Sequence, residues 1–515
     1  MIRSFLTVSS GTLASRLLGF LRDSMLAALL GTGAVADAFL VAFQLVNVAR
    51  RLLSEGALNA ALVPIWLRLR EAEGAMAAAA FAGRVLGTIS AALIAGTVLI
   101  GVLMPLVITL LAPGFAGEET LQLAVTYARL MLPYLAFAGP ATVLLALASA
   151  QGRFFLTAFS PLLFNIAMIA AMIVLMSVHR EARSVALTLA ATVGLAGFLQ
   201  LLILALRGGE RVAKPLRVGL DTEMRGFFAR AVPGMVASSA PQLLIVAGAI
   251  IASSSPSAVS WLYFANRLIE LPLGIVGVAM GTVLIPEVTR ALHGDDRSAI
   301  ANAQSRALEL AVGLALPAML GLIALSTPIV RLLFEHGAFT SADARSTSGA
   351  LIWLALGLPA HVLVKALSPA FFAREDTYIP LAATLKAFVV AIVLAVLLGH
   401  FFGANGIAAG LACGAWSNAF SLIRHGGASF GFSLDAAARR RLPRIAAAAL
   451  LMGVLLWAVS GFASGAHVLA QTVILLATIA AAIAVYGLAL IALNVTSWRE
   501  VVNAVRQSPP RDLRA

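Results

Sequence analysis

Apolar runs about the length of a bilayer crossing recur from one end of the chain to the other. A hydrocarbon core takes roughly 20 helical residues to span. Fourteen runs are expected to be helices: 7–30, 34–64, 80–111, 122–150, 158–177, 184–206, 226–252, 257–290, 300–325, 346–367, 377–399, 404–423, 443–461 and 468–493. Only 11% of the 515 residues are charged, against about 25% in a soluble domain. The expected fold class is therefore an all-α polytopic membrane protein. The first run is not expected to be a cleaved signal peptide, because arginines interrupt it and no small-residue cleavage site follows a short apolar core. A single cysteine, Cys413, excludes an internal disulfide and any cysteine-based metal or redox centre.

The connections alternate in character. One set is basic, with Arg68, Arg70 and Arg84, then Arg153, then the stretch from Arg207 to Arg230, then Arg290, Arg297 and Arg306, then Arg374, then Arg424 and Arg439 to Arg444. The other set, PGFAGEET, ASSSPSA, GHFFGANG and GFASGAH, has almost no basic residues, with two exceptions at Arg180/Arg183 and Arg331/Arg345. By the positive-inside rule this alternation predicts fourteen crossings with both termini cytoplasmic. It also accounts for most of the net charge of +13. Nucleic acid is not an expected partner, since the arginines are strung along loops.

The chain repeats itself. ALVPIWLRLREAEG resembles VLIPEVTRALHGDD with Pro64 and Pro286 offset by 222. LASAQGRFF resembles PAFFARED with Arg153 and Arg374 offset by 221. LAATVGLAGFLQL resembles LACGAWSNAFSLI, again offset by 222. One register for three matches predicts two six-helix lobes, 1–215 and 220–430, an appended helix pair at 443–493 and a tail at 494–515. Six crossings return the chain to its starting side, so the lobes are parallel repeats. That is a transporter architecture with its site near mid-membrane between the lobes.

Against this apolar background, 9–64 carries Arg16, Arg22, Asp23, Asp37, Asn47, Arg50, Arg51 and Glu55. A charge at membrane depth costs several kcal/mol, so the arginines are expected to line a hydrated cavity for an anion. Arg16 and Arg22 are six residues apart, about 120° around a regular helix, and Gly19 between them is expected to permit a kink. Arg51 and Glu55 are i, i+4 neighbours, which discounts Arg51 as a ligand and leaves Arg16, Arg22 and Arg50. In the second lobe WLYFANRLIELPLG supplies Asn266, Arg267 and Glu270, with Arg267 and Glu270 spaced i, i+3. Arginine suits phosphate, because its planar fork donates bidentately and stays charged. His361 and Lys365 read as an interhelical hydrogen-bonding pair, and Asp295-Asp296 as a solvated turn. No phosphate-binding loop of the ATPase type and no metal-ligand spacing is present in the sequence.

These residues carry a family resemblance. SRLLGFLRD…TGAVADAFLVAFQLVNVARRLLSEGALNAALVPIW resembles the MurJ (MviN) lipid II flippases of the MOP exporter superfamily, as do FANRLIELPLGIVGVAMGTVLIP and LVKALSPAFFAREDTYIP. The resemblance covers essentially the whole chain. It implies fourteen helices in two lobes plus a final pair, and movement of undecaprenyl-diphosphate-linked disaccharide-pentapeptide from the cytoplasmic to the periplasmic leaflet by alternating access. The family's cavity arginines fall on Arg16, Arg22, Arg50 and Arg267. Its associated polar residues fall on Asp23, Asp37, Asn47, Arg51 and Glu55. The pair at 443–493 would form a groove for the polyprenyl tail. A sodium site of some members is not carried over, because the seventh run offers only Gln242 and the eleventh begins with Asp376.

The expected protein is thus a monomeric, multi-pass transporter of the cell inner membrane and not an enzyme. No cofactor or metal is expected, and drive comes from the membrane potential or a coupled cation. Expected partners are lipid II, membrane lipids and cell-wall synthesis proteins. Three alternatives stand beside this: a flippase for another polyprenyl-diphosphate glycan, a drug/cation antiporter of the same superfamily, and a membrane glycosyl- or phosphotransferase.

Overall fold

The computed structural model describes residues 2–54, 57–178, 181–207, 216–219, 221–238, 240–279, 297–372, 374, 376, 378–430, 435–460 and 468–495. Regular structure among them is entirely helical. The helices are α1 (Ile2–Leu30), α2 (Ala34–Ser54), α3 (Ala57–Ala72), α4 (Ala75–Val102), α5 (Met104–Leu111), α6 (Glu119–Met131), α7 (Pro133–Ala150), α8 (Phe154–Ser177), α9 (Ala182–Arg207), α10 (Thr222–Ser238), α11 (Ala240–Ala252) and α12 (Ala258–Ala279). They continue as α13 (Arg297–Ala324), α14 (Ser326–Phe334), α15 (Ser341–Leu356), α16 (Leu358–Phe372), α17 (Tyr378–Phe430), α18 (Ala436–Ser460) and α19 (Val468–Ala492).

Nine stretches among the described residues are long and apolar enough to cross a membrane. The helices bearing the charged constellation, α1, α2 and α12, are not among the nine. Several apolar runs are broken in two. α4 gives way to α5 at Leu103, just before Pro105, and α6 to α7 at Leu132, just before Pro133. Proline cannot donate to the preceding turn, so it suits the first turn of a new helix. α1 is one uninterrupted helix through Gly19, so the expected kink is absent and Arg16 and Arg22 keep their separation around the axis.

The repeat shows in the element boundaries. α5 and α14, and α6 and α15, begin at 104 and 326 and at 119 and 341, each pair 222 residues apart. α17 joins two expected runs through a reversal at Gly403, whose φ of 55 favours glycine. Past that turn Gly406, Gly410 and Gly414 lie against Leu398, Ala395 and Ala391. The two legs of α17 are therefore antiparallel and packed at backbone distance, as small residues allow between apolar helices.

The chain divides into two compact units. One runs to Phe264 and takes in Phe334–Asp343; the other holds Ala265–Leu333 and the chain from Ala344 onward. The sequence repeat places a boundary at 215–220, whereas α10, α11 and the start of α12 group with the first unit. Met224, Phe227 and Ala231 of α10 are buried in one apolar cluster with Leu62, Trp66, Phe81 and Val85 of α3 and α4. In the second unit Met452, Leu456, Leu475 and Ala482 of α18 and α19 form a core with Leu325.

Candidate functional site

α1 packs along α8, and that contact fixes Arg22. Its Nε and Nη2 donate to Asp23 Oδ1 at 2.9 and 2.7 Å. Its Nη1 donates to Asn165 Oδ1 of α8 at 2.9 Å. Asn165 Nδ2 in turn donates to the Ser15 carbonyl at 3.1 Å. The guanidinium also lies 5.2 Å from the Phe43 ring centroid and 5.7 Å from that of Phe164. The Arg22 side chain is 10% exposed and that of Asp23 is 0% exposed. Arg22 is therefore a caged cation whose charge Asp23 matches, not a free one. Tyr263 of α12 donates from its hydroxyl to the same Asp23 Oδ1 at 3.4 Å, one turn before Arg267.

Arg50 is half-buried on α2. It lies seven residues from Phe43, hence on the same face of the helix. The buried Tyr134 stacks edge-on against Phe164. Phe43 and Phe164 thus form an aromatic wall beside Arg22. Arg16 is half-buried on α1, about 9 Å along the helix from Arg22. Among the described residues of the constellation, Arg16 and Arg50 are the arginines without a carboxylate partner. Arg51 is engaged, and Asn47 is half-buried. Glu55, and with it the expected Arg51–Glu55 pairing, lies outside the described residues. In the second unit Arg267 Nη1 meets Glu270 Oε2 at 2.7 Å, with side chains 22% and 27% exposed. Asn266 beside it is half-buried.

Asp37 does not join the arginines. It lies thirteen residues before Arg50 on α2, about 20 Å away along the axis. Its carboxylate accepts from the Ser260 backbone N–H at 2.9 Å and from the Ser260 hydroxyl. This contact belongs to a seal built from the loops around 31–33, 113–117, 253–257 and 335–340. Thr32 Oγ1 donates to Asp343 Oδ1 at 2.6 Å, and Trp261 Nε1 donates to the same oxygen at 3.2 Å. The Ala338 N–H donates to the Ala28 carbonyl at 2.8 Å. Side chains at Gly31 or Gly337 would strike the backbones of Ala338 and Ala28, and both glycines have positive φ. The Gly114 N–H donates to Ser253 Oγ at 3.0 Å, again with no room for a Cβ. Phe264, Phe334 and Phe339 close the apolar side, with centroids 5.1 to 6.0 Å apart.

The seal follows the repeat. Gly31 and Ser253 are 222 apart, and Gly114 and Gly337 are 223 apart. Each repeat's glycine loop therefore grips the end of the helix that corresponds to its own partner's. Asp37 and Ser260 are themselves 223 apart. The offset was the signal that could have found Ser260. Asn165 and Tyr263 gave none, since nothing in their local sequence marks them.

Comparison with known proteins agrees with this architecture. Residues 26–494 match the family described as lipid II flippase MurJ. A probable lipid II flippase MurJ from Rhizobium meliloti (strain 1021) is 35% identical over 495 residues, covering 94% of this chain and 92% of the relative. A lipid II flippase MurJ from Burkholderia cenocepacia is 31% identical over 433 residues, covering 82% and 83%. Among solved structures, a lipid II flippase MurJ in an inward-closed conformation superposes with a TM-score of 0.79 at 23% identity, over 96% of this chain and 100% of that one. An inward-facing multidrug resistance MATE family transporter of the MOP superfamily gives a TM-score of 0.65 at 17% identity, over 84% and 95%. The likeness to these two structures shows a shared fold.

Proposed function

The chain belongs to the lipid II flippase MurJ family, and from that premise we propose that it moves lipid II from the cytoplasmic to the periplasmic leaflet of the inner membrane by alternating access. The observation that carries the reading is the pair of arginines, Arg16 and Arg50, with no carboxylate partner among the described residues. An unmatched cation is costly in an apolar setting, and two of them balance the roughly two negative charges of a diphosphate. Arg22 and Arg267, each beside a carboxylate, add directed N–H donors to the same anion. A cationic drug would meet repulsion at such a site, which disfavours an antiporter.

The mechanism asks each part of the chain for one task. Arg16, Arg22, Arg50 and Arg267 hold the diphosphate while the sugar–peptide head sits in a hydrated space. The polyprenyl tail stays in lipid along α18 and α19. Binding drives the change of state only through contacts that differ between states. One charge crossing 100 mV is worth about 2.3 kcal/mol, so outward movement of a diphosphate gains roughly 4–5 kcal/mol from the membrane potential. The potential or a coupled cation is thus the drive, with no cofactor. The chain works as a monomer with fourteen crossings and both termini cytoplasmic, alongside cell-wall synthesis proteins.

The test is reconstitution. Purified protein in vesicles should translocate lipid II and leave it chemically unchanged. A chemically altered product would identify an enzyme instead.

A further inference from the structure

Two fastenings, one in each unit, share a design. In the first unit the segment before α10 lies over α4. Thr88 Oγ1 accepts from the Gly219 N–H at 3.2 Å and donates to the Gly219 carbonyl at 3.3 Å. Gly87 leaves room for the Arg217 backbone, where any Cβ would collide. Arg84 Nε meets Asp221 Oδ2 at 2.9 Å and its Nη2 meets Glu223 Oε2. Asp221 Oδ1 also accepts from the Met224 N–H at 2.9 Å, which caps α10. In the second unit the segment before α18 lies over α13. Ser305 Oγ accepts from the Asp435 N–H at 3.1 Å, and Glu309 meets Arg441 at 3.4 Å. Asp435 Oδ1 accepts from the Ala438 N–H at 2.6 Å, which caps α18 in the same way.

The two fastenings do not use equivalent residues. With the repeat's offset of 222, Arg84 and Thr88 map onto Arg306 and Leu310, whereas the second fastening uses Ser305 and Glu309, within a turn of those positions. Below the first fastening α10 is packed, not merely tethered. Met224 and Phe227 are fully buried, and Phe227 meets the Phe81 ring edge-on at 6.5 Å. Parting α10 from α4 would strip this apolar contact and the capped ion pairs together. The seal at Gly31, Gly114 and Gly337 is a different kind of contact, made largely of backbone approaches and hydroxyl hydrogen bonds.

We infer that the start of α10 is a permanent part of the first unit, and that the transport cycle never opens its contact with α3 and α4. This rests on the flippase reading. The lone cysteine permits a clean test. In a Cys413→Ser background, Thr88→Cys with Gly219→Cys should form a disulfide across the fastening. Oxidised protein should flip lipid II in vesicles within about twofold of its reduced form, because constraining groups that stay together in both states shifts no equilibrium. A loss of tenfold or more that reduction reverses would overturn the inference. Arg84→Ala is measured in parallel. It faces partly exposed carboxylates, so it should fold, and its rate per folded molecule should stay within about twofold. A clear acceleration would show that the contact opens in the cycle, and would equally overturn it. The unmodified chain in the same vesicles reports on the flippase reading alone: if it is inactive that reading fails, and if only the oxidised pair is inactive the fastening fails.

Discussion

Arg267→Ala is expected to give a folded, inserted protein that no longer translocates lipid II, with the rate down by at least about a hundredfold. Losing a bidentate charge-assisted contact to phosphate costs a few kcal/mol, and about 1.4 kcal/mol is worth tenfold. The fold survives because Arg267 and Glu270 are each about a quarter exposed. Glu270 is exposed enough to be solvated, so the stability cost stays near that of a surface pair. Arg22→Ala should behave differently. It removes the cation that matches Asp23, whose side chain has no exposure, and breaking a buried pair costs about 3–5 kcal/mol. Thermal unfolding in detergent separates the two. Arg22→Ala should melt well below the parent, Arg267→Ala close to it, and Arg22→Ala with Asp23→Ala in between. Normal flipping by folded Arg267→Ala would remove the residue from the diphosphate site.

Locking the seal should stop transport outright. In the Cys413→Ser background, Thr32→Cys with Asp343→Cys replaces a 2.6 Å hydrogen bond by a covalent bond. The oxidised protein should fall to the rate of empty vesicles, and a reductant should restore it. The expectation follows from the Asp37–Ser260 contact and the glycine clasps lying at the same end as that bond, which must part for a head group to leave. Full activity in the oxidised protein would mean that the substrate leaves by another route.

The apolar runs made the helices legible, and the offset of 222 made the repeat legible before any coordinate was known. Both come from properties that act locally or recur at a fixed spacing. The helix breaks at Leu103 and Leu132 follow from Pro105 and Pro133 for the same reason. The site was half legible. Charge at forbidden depth pointed to the arginines, but not to which of them is matched. Arg22 and Asp23 are adjacent, and i, i+1 neighbours on a helix do not normally face each other. Their pairing depends on Asn165, 143 residues from Arg22, and on Tyr263, 240 residues from Asp23. No periodicity encodes such partners. The boundary between units was missed because the side chains that bind α10 to α4 are ordinary apolar ones, Met224 and Phe227 among them, whose partners only the packed fold reveals.

The central claim is that this chain carries lipid II outward across the membrane. It is tested most directly by depleting the protein in growing cells and probing lipid II from the periplasmic face with a membrane-impermeant reagent. The account predicts that lipid II accumulates while the fraction open to the reagent falls towards zero, and that wild-type chain restores it while Arg267→Ala does not. Lipid II that stays accessible at its normal fraction in depleted cells would contradict the account.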